Sequence, residues 1–402
     1  MSSTSSPVDT LSTVSASQRL AAILISIALA ASAWWLSTEQ QGRDGWLLLI
    51  GGVIGLALYQ ASFGFTTAWR NLILQRRGKG LRAQMVMLAL AVCLFFPVLS
   101  AGELFGDSVF ALVRPLGWSV ICGAFIFGVG MQLGNGCASG NLYHAGGGQM
   151  RAIPSMIGFA AGGLWATADY EWWQNQPQLE PVSLIRDFGA APAIALNLML
   201  FAAIALLTIW LEKRRYGDWE RDTEGQGLPL ARRLMRGPWP LIWAGIVLAL
   251  MNFATLAMVG RPWTVALAYP LWGAKAAMLL ELDLEIDFWS YWTQPGREDA
   301  LYAPLLEDAT SLMNIGIIAG ALLAANLAGR FSFEWRLPPL HWLAASIGGV
   351  MLGYGATIAF GCNIGAFFGG IVSGSLHGWL WLVAAFFGSL LGTRLRPLFR
   401  LQ

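Results

Sequence analysis

The segment GNGCASG at residues 134–140 recurs as AFGCNIG at residues 359–365, displaced by 225 positions. Around both segments, six glycines and one cysteine keep the same register, and two of the chain's four cysteines belong to this pattern. Chance is a poor explanation, so the spacing predicts an internal repeat. Its matched residues are Gly123, Gly128, Gly130, Gly136, Cys137, Gly140 and Gly163 in the first copy and Gly348, Gly353, Gly355, Gly361, Cys362, Gly365 and Gly388 in the second.

The composition assigns both copies to a membrane. Of 402 residues, 56% are hydrophobic and 12% are charged, whereas an average soluble domain has about 25% charged residues. This deficit of charge excludes an ordinary soluble enzyme, and the chain has no phosphate-binding loop, catalytic triad order or metalloprotease helix. The net charge of +2 is too small and too scattered for a nucleic-acid surface, so no nucleic-acid partner is expected.

Long apolar blocks predict an all-α polytopic membrane protein, because only helices satisfy every backbone hydrogen bond within one segment in lipid. About nine to eleven membrane segments are expected, and several of them are short and interrupted by glycine, as broken or re-entrant transporter helices are. The blocks lie at residues 20–36, 46–59, 85–101, 116–133, 153–168, 191–211, 238–259, 264–280, 309–327, 341–360 and 376–392.

The distribution of basic residues predicts the orientation, because Lys and Arg in short loops stay on the cytoplasmic side. Basic residues concentrate at 70–82, 213–236, 330–336 and 394–400, whereas acidic ones concentrate at 169–187 and 281–299. All basic loops fall on one side only if residues 264–280 form a re-entrant segment. The two copies then have opposite orientations, which predicts two inverted, pseudo-symmetric repeats whose broken helices meet at the midplane.

These features divide the chain into five predicted parts. The membrane halves are residues 19–212, with the Gly-Cys element 134–140, and residues 238–393, with the element 359–365. A polar N-terminal tail, a basic cytoplasmic linker and a basic cytoplasmic tail are predicted at residues 1–18, 213–237 and 394–402. The N-terminal residues lack the pattern of a cleaved signal peptide.

Each Gly-Cys element is expected to interrupt a membrane helix. Gly136 and Gly361 permit the close backbone approach that an interruption needs, and non-helical backbone at membrane depth must be buried or line a wet cavity. The N–H groups that begin the following half-helix favour an anion. An anionic substrate is therefore predicted.

Cys137 and Cys362 occupy equivalent positions of the repeat, so we expect both thiols to line the pathway of that anion. Cys93 and Cys122 have no counterparts and are expected only to pack. Lys275 is a further candidate, because a charge in an apolar segment is costly; alternatively, it snorkels to the interface. His341 and His377 are expected at the interfaces. Other candidate donors to the anion are Asn135, Ser139, Asn363 and Thr66.

The Gly-Cys elements, together with ASFGFTTAWRNLI at residues 61–73, resemble the YeeE/YedE family of bacterial inner-membrane proteins, which includes thiosulfate permeases. The resemblance covers most of the chain and implies an hourglass-shaped helical fold. It also implies that thiosulfate is relayed past Cys137 and Cys362 through S–H···S hydrogen bonds during uptake. The third element departs from the family pattern, since Gly64 stands where the family commonly has a cysteine.

The sequence is also compatible with two other functions. In the first, the chain is a membrane-embedded sulfur-transfer or redox component, and a persulfidated cysteine passes sulfur to a soluble carrier protein. In the second, Cys137, His144 and Cys362 carry a soft metal or another ion. No cofactor and no structural metal site are predicted, because the cysteines have neither CxxC nor another paired spacing.

Overall fold

The computed structural model describes residues 14–39 and 42–401, and helices dominate this part of the chain. Residues 1–13 of the predicted tail at residues 1–18 lie outside the described residues. The helices of the first half are α1 (Ala16–Glu39), α2 (Arg43–Gln60), α3 (Phe65–Gln75), α4 (Lys79–Ala101), α5 (Trp118–Leu133), α6 (Ala138–Gly146), α7 (Ala152–Ala168), α8 (Tyr170–Gln174), α9 (Leu184–Phe188) and α10 (Ala190–Tyr216).

The second half repeats this pattern of long helices separated by short ones. Its helices are α11 (Leu230–Arg236), α12 (Leu241–Val259), α13 (Ala268–Leu279), α14 (Arg297–Tyr302), α15 (Ala309–Leu327), α16 (Pro339–Ile358), α17 (Gly369–Val372) and α18 (Leu376–Leu395). A π-helical turn (Asn363–Phe368) precedes α17, and 3₁₀ turns occupy Ile286–Phe288, Leu305–Glu307 and Arg396–Phe399. The strands are two-residue antiparallel pairs, β1 (Glu103–Leu104) with β2 (Asp107–Ser108) and β3 (Leu116–Gly117) with β4 (Gln178–Leu179).

Within the described residues, nine helical segments are long and apolar enough to cross a membrane. This confirms the prediction of an all-α polytopic membrane protein. The other two predicted blocks form α7, with 17 residues, and α13, with 12 residues. At 1.5 Å per residue, α13 is only about 18 Å long, too short for a hydrocarbon core of about 30 Å. Its re-entrant character stays a prediction.

Burial separates peripheral helices from central ones. In α1 and α10, only 17% of the most apolar stretch is buried, whereas the segment that joins α5 and α6 buries 72%. Large side chains such as Ile27, Trp34 and Leu206 project outward from α1 and α10. Lipid is the solvent for these faces, since no protein covers them. The Gly-Cys elements therefore lie in the protected centre of the molecule.

Glycines allow the central helices α5 and α16 to pack backbone against backbone. A Cβ atom on Gly123 would lie 2.7 Å from the carbonyl oxygen of Gly355, and one on Gly130 would lie 2.8 Å from that of Gly348. The two helices therefore run antiparallel. Gly123 and Gly348 differ by 225 positions, as do Gly130 and Gly355. The two contacts are therefore equivalent under the repeat, with the roles of the two helices exchanged.

A second pair of contacts follows the same rule. A Cβ atom on Gly388 of α18 would lie 3.1 Å from the Cα of Gly128 in α5, and one on Gly353 of α16 would lie 2.5 Å from the nitrogen of Gly163 in α7. The shift again exchanges these two contacts. This packing agrees with the internal repeat in the sequence, while the inverted orientation of the two halves across a membrane stays a prediction.

The basic linker begins on the last turn of α10, which carries Lys213, Arg214 and Arg215. Just before them, the fully buried Glu212 forms an ion pair of 3.2 Å with Arg82 of α4. The backbone nitrogen of Glu220 also donates to Glu212, at 2.7 Å. These contacts hold residues 212–220, at the start of the predicted linker, against α4.

Candidate functional site

Both Gly-Cys elements interrupt their helices with nearly the same backbone. The interruption between α5 and α6 is called here the first break (residues 134–137), and that between α16 and the π-helical turn the second break (residues 359–362). Asn135 has φ of 60° and the equivalent Phe360 has φ of 61°. Cys137 and Cys362 are both extended, with ψ of −171° and −164°. The predicted helix interruptions are therefore present, and one backbone path serves both.

Glycine is required differently at the two breaks. Gly361 has φ of 143°, and a Cβ atom there would lie 2.7 Å from the backbone nitrogen of Ala366. At Gly136, an added Cβ would lie 2.8 Å from Oδ1 of Asn141, which is a side-chain atom. Only Gly361 combines a left-handed φ with a backbone obstacle, so its dependence on glycine is the stronger of the two.

The two matched cysteines are buried free thiols at the starts of the second half-helices. Cys137 is 2% exposed and its Sγ lies 3.5 Å from the hydroxyl of Ser139, whereas Cys362 is fully buried and accepts from the nitrogen of Ile364 at 3.4 Å. Cys93 is exposed on the surface of α4. The structure thus buries the matched cysteines and leaves Cys93 exposed.

Tyr269 of α13 contacts the first break. Its hydroxyl donates to the carbonyl oxygen of Ala138 at 3.2 Å, directly beside Cys137. Its ring is fully buried, stacks on Phe159 at 4.1 Å and lies within electrostatic reach of both Cys137 and Cys362. The sequence offers Tyr269 only as one polar residue among many, because nothing local indicates where α13 points.

Two predicted donors are buried without partners. Asn363 is fully buried, and neither atom of its amide group hydrogen-bonds any group in residues 14–39 or 42–401. Thr66 is 3% exposed and its hydroxyl is likewise unpartnered among them. A buried polar group without a hydrogen bond costs about 1–3 kcal/mol. Such groups fit a route on which a passing ion or its water supplies the missing partner.

Arginines surround the end of α5 at the first break. Arg70 of α3 donates to Oδ1 of Asn135 at 3.1 Å, while Arg151 and Arg396 donate to the carbonyl oxygens of Leu133 and Gln132, both at 2.7 Å. In the loop before α7, burial lowers the pKa of Arg151 to about 10, so its guanidinium stays charged at neutral pH. The negative end of the α5 dipole holds this positive cluster.

A second set of arginines lies at the other break. The guanidinium of Arg114 is 5.5 Å from the ring centre of Phe360, and Arg261 donates to the hydroxyl of Thr264 at 2.8 Å. His377 also meets the Phe360 ring; it is 1% exposed and its Nδ1 lies 2.6 Å from the Ser375 hydroxyl. Helix α18 begins at Leu376, and the packing of the second break buries its first turn.

The structure does not bring Lys275 to the breaks. Its ammonium group donates to the carbonyl oxygens of Leu301 and Ala303 at 2.7 and 2.6 Å, at the end of α14. Backbone carbonyls of the loop between α13 and α15 therefore satisfy this charge. A role of Lys275 on the pathway stays a prediction, since the cost of burial alone does not say which groups satisfy a lysine.

Further polar residues, among them the predicted donor Ser139, lie at the first break. Ser139 is 1% exposed beside Cys137, and Asn141 donates to Ser155 of α7 at 2.9 Å. Gln132 donates to the carbonyl oxygen of Thr66 at 3.3 Å and so joins α3 to α5. In the described part of the chain, no three His, Cys, Asp or Glu side chains come together as a metal ion requires.

Comparisons with known proteins agree with this geometry. A family model described as "Sulphur transport" matches residues 60–391. The chain is 27% identical to the thiosulfate transporter TsuA of Spirochaeta thermophila over 83% of this chain and 93% of that protein. It is 21% identical to TsuA of Escherichia coli over 85% of this chain and 91% of that protein. It is 31% identical to the probable transporter YedE of Escherichia coli over 40% of each chain. The chain therefore belongs to the sulphur transport family, the YeeE/YedE family that its Gly-Cys elements resemble.

Proposed function

We propose that this protein is a permease of the bacterial inner membrane that takes up a small sulfur-containing anion, most specifically thiosulfate. The observation that carries the proposal is the pair of buried thiols at two equivalent helix breaks, with the unpartnered amide of Asn363 beside one of them. Two relatives that cover most of the chain are named thiosulfate transporters. The chain acts as a transporter without enzymatic turnover.

The proposed route passes from one arginine set to the other through the thiols. Arg114 and Arg261 attract the anion on the acidic-loop side, and Arg70 and Arg151 receive it on the basic-loop side. Between them, Cys362 and Cys137 donate weak S–H hydrogen bonds to a soft, polarizable anion. Weak donors suit conduction, because a binding site on a pathway must also release its ion.

The proposed residues along this route have distinct roles. Gly136 and Gly361 shape the breaks, Asn135 positions the Arg70 guanidinium, and Ser139, Asn363 and Thr66 offer further donors. Tyr269 fixes α13 against the first break. Lys275 is left out of the route, because carbonyl oxygens of the loop already hold its charge.

The proposal includes an orientation. The two membrane halves, residues 19–212 and 238–393, are inverted repeats, and the linker at 213–237 and the tail at 394–402 face the cytoplasm. The antiparallel glycine contacts between α5 and α16 support this arrangement. The basic linker also offers a surface for a soluble sulfur-carrier protein that accepts sulfur after uptake.

The alternative in which a cysteine carries sulfur covalently is less well supported. A nucleophilic cysteine needs an accessible thiolate in an electropositive setting. Cys137 and Cys362 are at most 2% exposed, and a soluble partner would have to reach them inside the helix bundle.

Growth on thiosulfate as the sole sulfur source tests the proposal. A bacterial strain that lacks its own sulfate and thiosulfate importers receives the unmodified protein, Cys137→Ala or Cys362→Ala. We expect growth only with the unmodified protein. Cys93→Ala is the matched control, because it removes an exposed thiol from a lipid-facing surface, and it should grow normally.

Serine variants separate the relay from sulfur transfer. A hydroxyl still donates a hydrogen bond but forms no persulfide. Cys137→Ser and Cys362→Ser should therefore keep partial growth if the thiols act as donors, and should fail like the alanine variants if sulfur is carried covalently. If the unmodified protein reaches the membrane and yet gives no growth, thiosulfate is not its substrate.

A further inference from the structure

A third half-helix begins near the first break without a thiol. Helix α3 is preceded by Gly64, whose backbone is extended (φ −134°, ψ 129°), as it is at Cys137 and Cys362. No side chain caps the first N–H groups of α3. The hydroxyl of Thr66, in its first turn, is buried and unpartnered among the described residues. A polar setting for an anion is therefore present, although residue 64 contributes no side chain.

Tyr143 brings a hydroxyl to this position from another helix. It lies on α6, the half-helix that Cys137 begins, and its side chain is 6% exposed. A Cβ atom on Gly64 would lie 3.5 Å from its hydroxyl oxygen. No group in the described part of the chain hydrogen-bonds this hydroxyl. The tyrosine therefore fills the space beside Gly64 and still has its donor free.

Charged groups lie near Tyr143 and near Gly64. The ring is within electrostatic reach of both Cys137 and Arg70. A cavity of about 120 Å³ reaches Gly64 and Thr67, and Arg77, Lys79 and Glu220 line it as well. Lys79 pairs with Glu220 at 3.2 Å, so the lining keeps an excess of one positive charge beside Gly64.

The repeat indicates that the Tyr143 hydroxyl is not needed for the packing of α6. The shift of 225 residues carries Tyr143 onto Phe368, which is fully buried. An aromatic ring alone thus fits the equivalent position of the second copy. The oxygen that Tyr143 adds is specific to the half of the molecule that contains Gly64.

We propose that the Tyr143 hydroxyl, together with the Arg70 guanidinium, is a binding station for the transported anion between Cys137 and the predicted cytoplasmic mouth, in place of a side chain at residue 64. This inference rests on the proposed function and names a specificity-determining residue of the same route. The hydroxyl donates to a terminal oxygen of the anion while the arginine balances its charge. A tetrahedral oxyanion with exposed oxygens is the class of ligand that this pair recognises.

Uptake of radiolabelled thiosulfate into proteoliposomes tests the station. We expect Tyr143→Phe to lower the uptake rate at low thiosulfate concentration about tenfold, the effect of one hydrogen bond to a charged group. Gly64→Cys in the Tyr143→Phe background should restore at least half of the lost rate, because it returns a donor to the same space. Tyr354→Phe, which removes a hydroxyl bonded to Asp169 and Trp173 away from the breaks, is the matched control and should transport normally.

The outcomes are distinguishable. If the unmodified protein transports no thiosulfate, the proposed function fails, and the station fails with it. If the unmodified protein transports and Tyr143→Phe transports equally well, only the station is overturned. If Tyr143→Phe is slow and Gly64→Cys restores nothing, the hydroxyl serves the packing of α6 and the station is again overturned. Equal thermal unfolding midpoints for all variants in detergent ensure that the rates report on transport.

Discussion

The first and second breaks share a backbone and differ in almost every side chain that faces them. Asn135 and Phe360 have the same left-handed φ within one degree, yet one is an amide held by Arg70 and the other is an aromatic ring beneath Arg114. The comparison teaches that the glycines and the chain path create the interruption. The side chains then give each interruption its own chemistry.

Hydroxyl groups concentrate at the first break. In register, Ser139 corresponds to Ile364 and Tyr143 corresponds to Phe368. At one position the second break is the more polar: the unpartnered amide of Asn363 stands where the first break has Ala138. If both breaks handle the same anion, the second offers a thiol and an amide, whereas the first offers a thiol and two hydroxyls. The route is therefore chemically asymmetric along a pseudo-symmetric frame.

Replacing the break glycines gives the largest expected effect and tests whether the backbone is equivalent at both breaks. Gly361→Ala forces a Cβ onto a left-handed residue and against the nitrogen of Ala366, which should cost about 3 kcal/mol or more and abolish uptake. Gly136→Ala meets the side chain of Asn141 instead, and should cost about 1 kcal/mol. Thermal unfolding midpoints in detergent and thiosulfate uptake measure the two effects.

Gly378→Ala in α18 is a suitable control for lost helix packing, because its Cβ would lie 2.8 Å from the nitrogen of Ile371 without any left-handed φ. It should lower the unfolding midpoint while uptake per folded molecule persists. Equal losses of uptake in Gly136→Ala and Gly361→Ala would contradict the distinction drawn between the two breaks.

The positions of the breaks could be predicted from sequence, because glycines and cysteines in register mark backbone that must bend. All eleven apolar blocks also correspond to helices, because a segment surrounded by lipid must satisfy its backbone hydrogen bonds internally. These features are local, or repeat at a fixed distance along the chain. They require no knowledge of which helices become neighbours.

The contacts that surround the breaks could not be predicted in this way. Arg70 reaches Asn135 across 65 positions and Tyr269 reaches Ala138 across 131, and both contacts depend on how separate helices pack. Tyr143 belongs to no motif, but comparison of the two copies would have marked it as a polar residue at the position that corresponds to the apolar Phe368. The partners of Lys275 could not be predicted for the same reason, because they come from a loop.

Neutralising one arginine at each break gives the next largest effect and tests the chemical asymmetry. Arg70→Gln removes a charge and a charge-assisted hydrogen bond to Asn135, so we expect the KM for thiosulfate to rise about tenfold or more. Arg114→Gln removes a cation–π contact with Phe360, which is weaker, and a rise of about three- to fivefold is expected. Initial uptake rates over a range of thiosulfate concentrations give both values.

Arg394→Gln, in the last turn of α18, controls for the general loss of positive charge on the predicted cytoplasmic side and should leave KM within about twofold of the unmodified value. A larger effect at Arg114 than at Arg70 would reverse the asymmetry. It would assign the main recognition step to the second break.

Lys275→Ala gives the smallest expected effect on transport and tests whether Lys275 acts on the anion alongside the arginines of the two breaks. Lys275 lies on α13, as Tyr269 does, but its ammonium group binds Leu301 and Ala303 in the loop. We expect uptake to change less than about twofold, while the unfolding free energy falls by about 1–2 kcal/mol because two hydrogen bonds to a charged group are lost from a partly exposed site. Uptake and thermal unfolding of the same preparation measure both quantities.

Lys275→Met separates the charge from the length of the side chain, since methionine keeps an unbranched apolar stem. A loss of uptake in both variants, with unchanged stability, would place the lysine on the route after all. In that case α13 would contribute both the ammonium group of Lys275 and the hydroxyl of Tyr269 to the route. If uptake is unchanged and stability falls, Lys275 acts only by binding the loop. The arginines then remain the charges that distinguish the two breaks.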